Sequence, residues 1–344
     1  IEDGADLITA TAGTSNTRIG VNTGNSIASG GNYNVLVGDE AGTAISTGDN
    51  NTFVGYASGD ALTTGGSNVA IGKSALTADT LGSTSIAIGD SALGTQNFTT
   101  ATNAYNVAIG HQAGVLVTTG IRNTLIGGLT GDALTTGNNN TALGFNALAA
   151  DTLGDRAVAI GVDALAAQNF TTSTDSYNIA IGFQAGASVT TGFYNTLTGG
   201  LAGDALTTGR YNTAVGFQSL SNDTTGQMNT AFGYNALATQ NRTDGTQQFN
   251  VGIGAQAGED ITSGLYNTLV GGLSGQQLTT GTRNVAVGLQ SLNLNTVGDA
   301  SVAVGVNALR KQNPATNTDM YNTAVGDEAG AEITTGTSNT LVGA

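Results

Sequence analysis

Apolar side chains along this chain come in short bursts that alternate with polar residues and close on glycine, as in Asn-Val-Ala-Ile-Gly at 68–72. The five-residue unit Asn-x-x-aliphatic-Gly begins at positions 16, 34, 51, 68, 85, 106, 123, 140, 157, 178, 195, 212, 229, 250, 267, 284, 301, 322 and 339. Its glycine never varies, from Gly20 to Gly343. The aliphatic place yields once to Thr198 and once to Phe232, and the Asn yields to Ser85, Ala157 and Ser301. After the first unit the spacing runs 17, 17, 17, 21 and then repeats, which lays a 72-residue super-repeat over the 17-residue one. Self-similarity at a fixed period marks architectures built by stacking.

Seventeen residues are too few for a helix-turn-helix repeat, which takes roughly thirty or more. A glycine every few positions also destroys any 3.6-residue apolar period. The bursts are β-branched and about five residues long, the size and composition of strands. Thr-Thr-Gly at 63–65, 135–137, 207–209 and 279–281 reads as a turn whose glycine takes positive φ at a corner. The pattern therefore predicts an all-β fold, a parallel β-solenoid (β-roll or β-helix). It would have about nineteen 17-residue coils, every fourth lengthened to 21. Residues 1–15 form a leading segment. A single continuous solenoid is expected over 16–344, with super-repeats at 34–105, 106–177, 178–249 and 250–321 and a partial one at 322–344.

With the Asn counted as place 1, place 9 runs Gly42, Gly59, Leu76, Leu93, and the cycle repeats along the chain. Where place 9 is glycine, place 12 is apolar, as at Ile45, Leu62, Val117 and Leu134. Where place 9 is leucine in a 17-residue coil, place 12 is Asp79, Asp151, Asp223 or Asn295. One large group thus enters each coil from one of two corners, and both corners are expected to reach a single interior position at crystalline packing density. The second strand place (Leu36, Phe53, Leu125, Leu197, Leu269, Leu341) alternates with the places taken as interior, such as Val37, Val54 and Ile71. It is expected to face outward. An outward apolar row needs a partner, which points to lateral association into a trimer. Stacking in register also sets Asn over Asn and Thr over Thr as side-chain ladders.

Composition narrows the function classes. There are 53 glycines, one proline (Pro314), no cysteine and no tryptophan, and 10% of residues are charged. No disulfide or thiolate metal site is available. The formal net charge of −15 opposes nucleic acid and anionic membrane surfaces. No apolar run approaches the ~18 residues of a membrane helix, so no membrane insertion is expected. No signal peptide opens the chain, and a start at Ile1 reads as a processed or truncated end.

Ser-Ile-Ala-Ile-Gly-Asp-Ser-Ala-Leu (85–93), Ala-Val-Ala-Ile-Gly-Val-Asp-Ala-Leu (157–165) and Ser-Val-Ala-Val-Gly-Val-Asn-Ala-Leu (301–309) resemble the head repeats of trimeric autotransporter adhesins. Asn-Thr-Ala-Val-Gly-Phe-Gln-Ser-Leu-Ser-Asn-Asp-Thr-Thr-Gly (212–226) is more similar still to repeats of phage tail fibres that precede a self-cleaving chaperone domain. The likeness runs from Asn16 nearly to the end. It implies a left-handed coil, a homotrimer, other fibre or virion proteins as partners, and a virion or extracellular location. The coils are longer than the usual autotransporter head repeat. Neither a coiled-coil stalk nor a chaperone domain is present, so the sequence is read as a segment of a larger fibre protein.

The four longer coils carry loops at 94–105, 166–177, 238–249 and 310–321, expected to recur about every 19 Å at a rung spacing of ~4.8 Å. Each holds a Gln-Asn pair and ends on an aromatic: Gln96, Asn97 and Tyr105; Gln168, Asn169 and Tyr177; Gln240, Asn241 and Phe249; Gln312, Asn313 and Tyr321. Loops on rigid scaffolds carry binding functions, and an amide pair beside an aromatic could hold a sugar of a cell-surface glycan receptor. The competing reading has Gln-Asn capping the long turn and the aromatic covering the core.

Nothing catalytic assembles, and no enzyme activity or cofactor is implied. His111 is the single histidine and reads as an exposed variable residue. Gly252, Gly254 and Gly258 mimic a dinucleotide loop but fall on ordinary repeat phases with no helix after them. Gly-Asp-Ala-Leu at 59–62, 131–134 and 203–206 lacks the acidic density of calcium-binding repeats. The sequons at Asn97, Asn169 and Asn241 are expected by chance in a chain so rich in Asn and Thr. The leading expectation is the shaft or receptor-binding region of a trimeric phage tail fibre or virion appendage. The alternatives are a bacterial trimeric adhesin head that binds host glycans or matrix, and an ice-binding solenoid displaying threonine ladders.

Overall fold

Each Asn-x-x-aliphatic-Gly unit folds as one three-residue strand, and every described rung-to-rung pairing of these strands is parallel and in register. The structure is a computed structural model and describes residues 7–8 and 12–343, the first two by backbone alone. The chain divides into two units, Ile1–Ser176 and Tyr177–Ala344. Each is a parallel β-solenoid without a helix among its described residues.

In the first unit the strands follow one another as Thr17–Ile19, Val35–Val37, Thr52–Val54, Val69–Ile71, Ile86–Ile88, Val107–Ile109, Thr124–Ile126, Thr141–Leu143 and Val158–Ile160. Pairing sets Val37 beside Val54 and Val54 beside Ile71 in one column, as the repeat demands. Leu7–Ile8 runs antiparallel to the first rung, with Leu7 opposite Ile19; the rest of the leading segment up to residue 11 lies outside the described residues. The long loops add two-residue pairings, Gly82–Ser83 with Thr102–Asn103 and Gly154–Asp155 with Thr174–Asp175.

The second unit repeats the design over Ile179–Ile181, Thr196–Thr198, Thr213–Val215, Thr230–Phe232, Val251–Ile253, Thr268–Val270, Val285–Val287, Val302–Val304, Thr323–Val325 and Thr340–Val342. Its own two-residue long-loop pairing joins Gly298–Asp299 to Thr318–Asp319.

Asparagine at place 1 is buried and forms a ladder. Asn51 donates its backbone N–H to Asn34 Oδ1 at 2.9 Å and its side-chain amide to Gly65 O at 3.1 Å, and Asn68 repeats both bonds one rung on. Each such bond contributes about 1 kcal/mol net, and an orphaned partner in this dry interior would cost more. At the long coils Ser85 or Ser301 interrupts the ladder, and a glutamine at place 12 restores it: Asn106 Nδ2 donates to Gln96 Oε1 and Asn322 Nδ2 to Gln312 Oε1, both at 2.8 Å. The first Thr of Thr-Thr-Gly forms a second ladder, Thr63 Oγ1 donating to Thr80 O and Thr135 Oγ1 to Thr152 O at 2.9 Å.

The two-corner expectation holds. Leu76, Leu93, Ile45 and Leu62 are all fully buried. A Cβ on Gly42 would lie 2.8 Å from Ile45 Cδ1 and 3.0 Å from Leu36 Cδ2, so the volume left by the glycine is already filled. Place 9 is left-handed throughout, with φ of 58° at Gly42 but also 54° at Leu76 and 48° at Leu93. A leucine there carries strain of order 1–3 kcal/mol, which its complete burial offsets.

Two expectations need correction. The second strand place points inward, since Leu36, Phe53, Leu125, Leu197 and Leu269 are completely buried and form the core. The column of Val37, Val54 and Ile71 is the outer one. The physical reason is volume: place 3 shrinks to Ala70 and Ala87 where place 9 grows to Leu76 and Leu93, and such compensation belongs to a shared interior. The flanking β-branched places do not compensate for anything. The second correction concerns the turn glycine of Thr-Thr-Gly. Gly65 is not at positive φ; a Cβ there would overlap the carbonyl oxygen of Gly82 on the next rung. Close approach between rungs excludes a side chain at that place.

Candidate functional site

Because place 3 points in, places 2 and 4 of every rung point out. In the first unit they pair Val35 with Val37, Val69 with Ile71, Ile86 with Ile88 and Val158 with Ile160; in the second, Ile179 with Ile181, Thr213 with Val215 and Val302 with Val304. Both columns are β-branched or aliphatic on nearly every rung and hold no charged residue from Val35 to Val342. Val35, Ile71, Leu143, Ile181, Phe232 and Ile253 all stand exposed. Each unit thus presents one flat, uncharged, β-branched sheet face. Threonine takes about half of the place-2 positions, among them Thr52, Thr124, Thr196 and Thr230, so one column is mixed and the place-4 column is the apolar one.

Two columns that carry an aromatic on some rungs border that face. The last place of each coil is always at positive φ; it holds an aromatic at Tyr33, Tyr105, Tyr177, Tyr194, Tyr211, Phe249, Tyr266 and Tyr321, and residues such as Asn50, Ser67, Arg122, Arg156 and Met228 in other coils. In the second unit these rings stack: Tyr177 on Tyr194 at 5.5 Å and Tyr194 on Tyr211 at 5.3 Å, nearly parallel. Phe193 meets Tyr194 edge-on at 5.1 Å, and the Arg210 guanidinium lies 5.4 Å from its ring centre. On the other border, the residue after the strand glycine is an exposed aromatic on some rungs, Tyr56, Phe145, Phe183, Phe217 and Tyr234, while others hold Asp39, Lys73, Asp90, His111, Gly128 or Gly200.

The long loops do not gather their glutamine, asparagine and aromatic into one pocket. Gln96, Gln168, Gln240 and Gln312 are completely buried, so they cannot meet a receptor. Asn97, Asn169, Asn241 and Asn313 are exposed, but each side-chain oxygen accepts a bond from the threonine one rung back, Thr80, Thr152, Thr224 and Thr296, at 2.7–3.0 Å. Tyr105, Tyr177, Phe249 and Tyr321 point to solvent and do not cover the core. Glutamine and ring therefore lie on opposite sides of the wall. Even as a platform Tyr177 has one face taken by Tyr194.

Beneath the loops sit buried carboxylates that composition alone did not single out as a cluster. Asp79 Oδ2 accepts from Gln96 Nε2 at 2.6 Å, and its Oδ1 from the N–H of Gly82 at 2.9 Å and of Phe98 at 3.4 Å. Asp151 repeats this with Gln168, Gly154 and Phe170, and Asp223 does so with Gln240 and Gly226. Burial pushes all three carboxyls above their ordinary value, opposed by those donors. Asn295 takes the place in the fourth copy, opposite Pro314, which has no N–H to give. A charged oxygen deprived of one donor is costly in a dry site, and the neutral amide avoids that cost.

His111 Nδ1 lies 3.4 Å from Asp90 Oδ2, with both side chains largely in solvent. No group of three or more His, Cys, Asp or Glu side chains among the described residues is placed to hold a metal ion. No described helix is long and apolar enough to cross a membrane. The loop of the third super-repeat frames a shallow cavity of about 220 Å³ lined by Asn241, Arg242, Thr243, Asp244 and Ser263. Arg242 and Asp244 pair across it at 2.5 Å, and that guanidinium holds the Asp244 carboxyl far below its usual range.

No protein-family model matches the chain, and neither a curated protein nor a solved structure shows significant similarity to it.

Proposed function

We propose that the chain is a structural segment of a fibre, in which parallel copies pack through their outward β-branched faces, and that the fibre is a phage tail fibre or a similar virion appendage. The observation that carries this reading is the pair of outward columns. Places 2 and 4 stay apolar or threonine on every rung from Val35 to Val342, although nothing inside the chain requires it. A solvated strand face normally alternates toward charged residues, and exposed strands commonly carry lysine as protection against association. This face has neither. Its area grows with every rung, so an interface can reach the ~1,600 Å² typical of stable complexes within a few coils. The repeat phrases at 85–93 and 212–226, with their likeness to fibre and adhesin repeats, support three copies and a virion role.

Light scattering coupled to gel filtration tests the assembly. The expected result is three times the chain mass, and Ile181→Lys with Val215→Lys should shift it to one chain while far-ultraviolet circular dichroism stays that of a β-solenoid. A parent protein that runs as a single chain would remove the basis of this proposal.

A further inference from the structure

Each rung carries one residue of either border: the last place of the preceding coil stands just before its strand, and the residue after the strand glycine just behind it. On the second rung of the four super-repeats these pairs are Asn50 with Tyr56, Arg122 with Gly128, Tyr194 with Gly200 and Tyr266 with Gly272. Glycine enters the second border only where the first holds arginine or tyrosine. Where the first shrinks to asparagine, the ring changes sides. Such compensation marks two residues that share one space, as places 3 and 9 do in the core. Within one chain these two cannot share it, because the three-residue strand between them alone spans about 10 Å.

Nothing inside the chain demands the three glycines. None has positive φ, and a Cβ on Gly128, Gly200 or Gly272 would come no nearer than 3.6, 3.4 and 3.5 Å to atoms beyond its chain neighbours, which is ordinary contact. The side chains it would meet are Phe145, Phe217 and Leu289 of the following rung, all exposed. Crowding by that following rung is no reason for glycine either, since Phe217 and Tyr234 occupy consecutive rungs of the same column and stack at 6.2 Å. The demand therefore comes from outside the chain. We infer that it comes from a second copy: Arg122, Tyr194 and Tyr266 of one chain each seat on the glycine of the same rung in a parallel neighbour, against Phe145, Phe217 and Leu289. This rests on the proposal that copies pack through the outward sheet face, and it names the residues that set their direction and level.

Symmetry selects the parallel arrangement. Rotation about an axis along the stacking direction keeps every rung at its height and brings the first border of one copy to the second border of the next. Packing the same faces antiparallel sets each border against itself, and residues of one rung would then have no cause to compensate. Charge agrees with this. The first border holds Arg122, Arg156 and Arg283 and no acid, whereas the second holds Asp39, Asp90 and Asp327 with Lys73 as its one lysine or arginine. Unlike borders attract and like borders repel. Arg122 against Phe145 adds a cation over an exposed ring. Tyr177 with Phe183 and Tyr211 with Phe217 carry rings on both borders, and these two rungs flank the one on which Gly200 leaves a ring out.

The test exchanges a native pair in the full chain. Gly128→Tyr should weaken association between copies about tenfold or more, read by sedimentation against concentration. Adding Arg122→Asn recreates the Asn50–Tyr56 pair and should recover most of that loss. Circular dichroism matching the parent certifies each variant. A second arm needs no bulky residue: the chain has no cysteine, so Arg122→Cys combined with Gly128→Cys can be joined by a short bismaleimide that spans the missing arginine side chain. Covalent dimers and larger products should appear on a denaturing gel, and neither single cysteine should give them. Linkage by Arg122→Cys alone would mean like border on like border, and a higher yield from Arg122→Cys with Phe145→Cys would mean copies staggered by a rung; either overturns the inference. A parent that sediments as one chain defeats the packing proposal and this inference together. An associated parent in which Arg122→Asn recovers nothing, or the cysteine pair forms no link, defeats this inference alone.

Discussion

Gln96 donates its side-chain amide to the Asp79 carboxylate at 2.6 Å while its oxygen accepts from Asn106, and none of the three exposes any surface. The orientation of Gln96 follows from the ladder. Asn106 must turn its oxygen to the N–H of Asn123, so its amide faces Gln96 Oε1 and leaves Nε2 for the carboxylate. One residue closes the gap in the asparagine ladder and solvates a buried acid.

That double role can be separated by mutation. Gln96→Ala should cost about 2–3 kcal/mol, since it orphans groups on both Asn106 and Asp79. Ser85→Asn in the same background should recover a part, because it restores the usual partner for Asn106, as Asn229 stands at the same place in the third super-repeat. Urea unfolding of the two variants measures both. Equal loss with and without Ser85→Asn would show that Gln96 does not substitute for the ladder.

The buried acids give stability a pH dependence of defined sign. Burial raises the folded-state pKa of Asp79, Asp151 and Asp223 above the ordinary carboxylate value. Between those two values the folded chain holds more protons than the unfolded one. Stability therefore falls as pH rises through the window and is fully present only below it. Melting temperature should rise on acidification from neutral pH more steeply in the parent than in the triple variant Asp79→Asn, Asp151→Asn, Asp223→Asn. Asn295 is the native precedent for the amide. Differential scanning calorimetry across pH 4.5–7.5 makes the comparison, and parallel curves would count against raised values.

The two corners of each coil should be exchangeable. Leu76→Gly removes a buried side chain worth roughly 2–4 kcal/mol, partly offset by release of the left-handed strain at its φ of 54°. Asp79→Leu restores an apolar group to the interior from place 12, where Ile45 and Leu62 sit in their own coils. The double variant should be at least 1 kcal/mol more stable than the sum of the single changes. A denaturant double-mutant cycle reads the coupling, and strict additivity would show that the corners do not converge.

Glycines of the same chain should differ in tolerance by their surroundings. A Cβ on Gly65 would overlap the Gly82 carbonyl and press on Leu62 Cδ1 at 2.8 Å, whereas one on Gly200 reaches only Phe217 at ordinary contact. Gly65→Ala should lower stability by about 2–3 kcal/mol or more. Gly200→Ala should change it by under about 0.5 kcal/mol. Thermal melts of the two variants side by side decide.

The repeat spacing alone determined that the chain stacks as parallel rungs, because a 17-residue period ending on glycine fits no helical unit and sets identical residues over one another. The asparagine ladder and the convergence of places 9 and 12 were legible for the same reason: four super-repeats act as four readings of each interior position. Which strand face turns inward was decided only by tertiary packing. Leu36 and Val37 are equally apolar, and alternation alone cannot say which enters a core. Volume compensation between Leu36 and Gly42, or Ala70 and Leu76, carried the answer within the sequence, but its meaning rests on the two places sharing one interior. The buried fate of Gln96, Gln168, Gln240 and Gln312 was likewise settled in three dimensions. A polar residue in a loop reads as solvated until its partners, here Asp79 and Asn106 on other rungs, are brought beside it by the stacking itself.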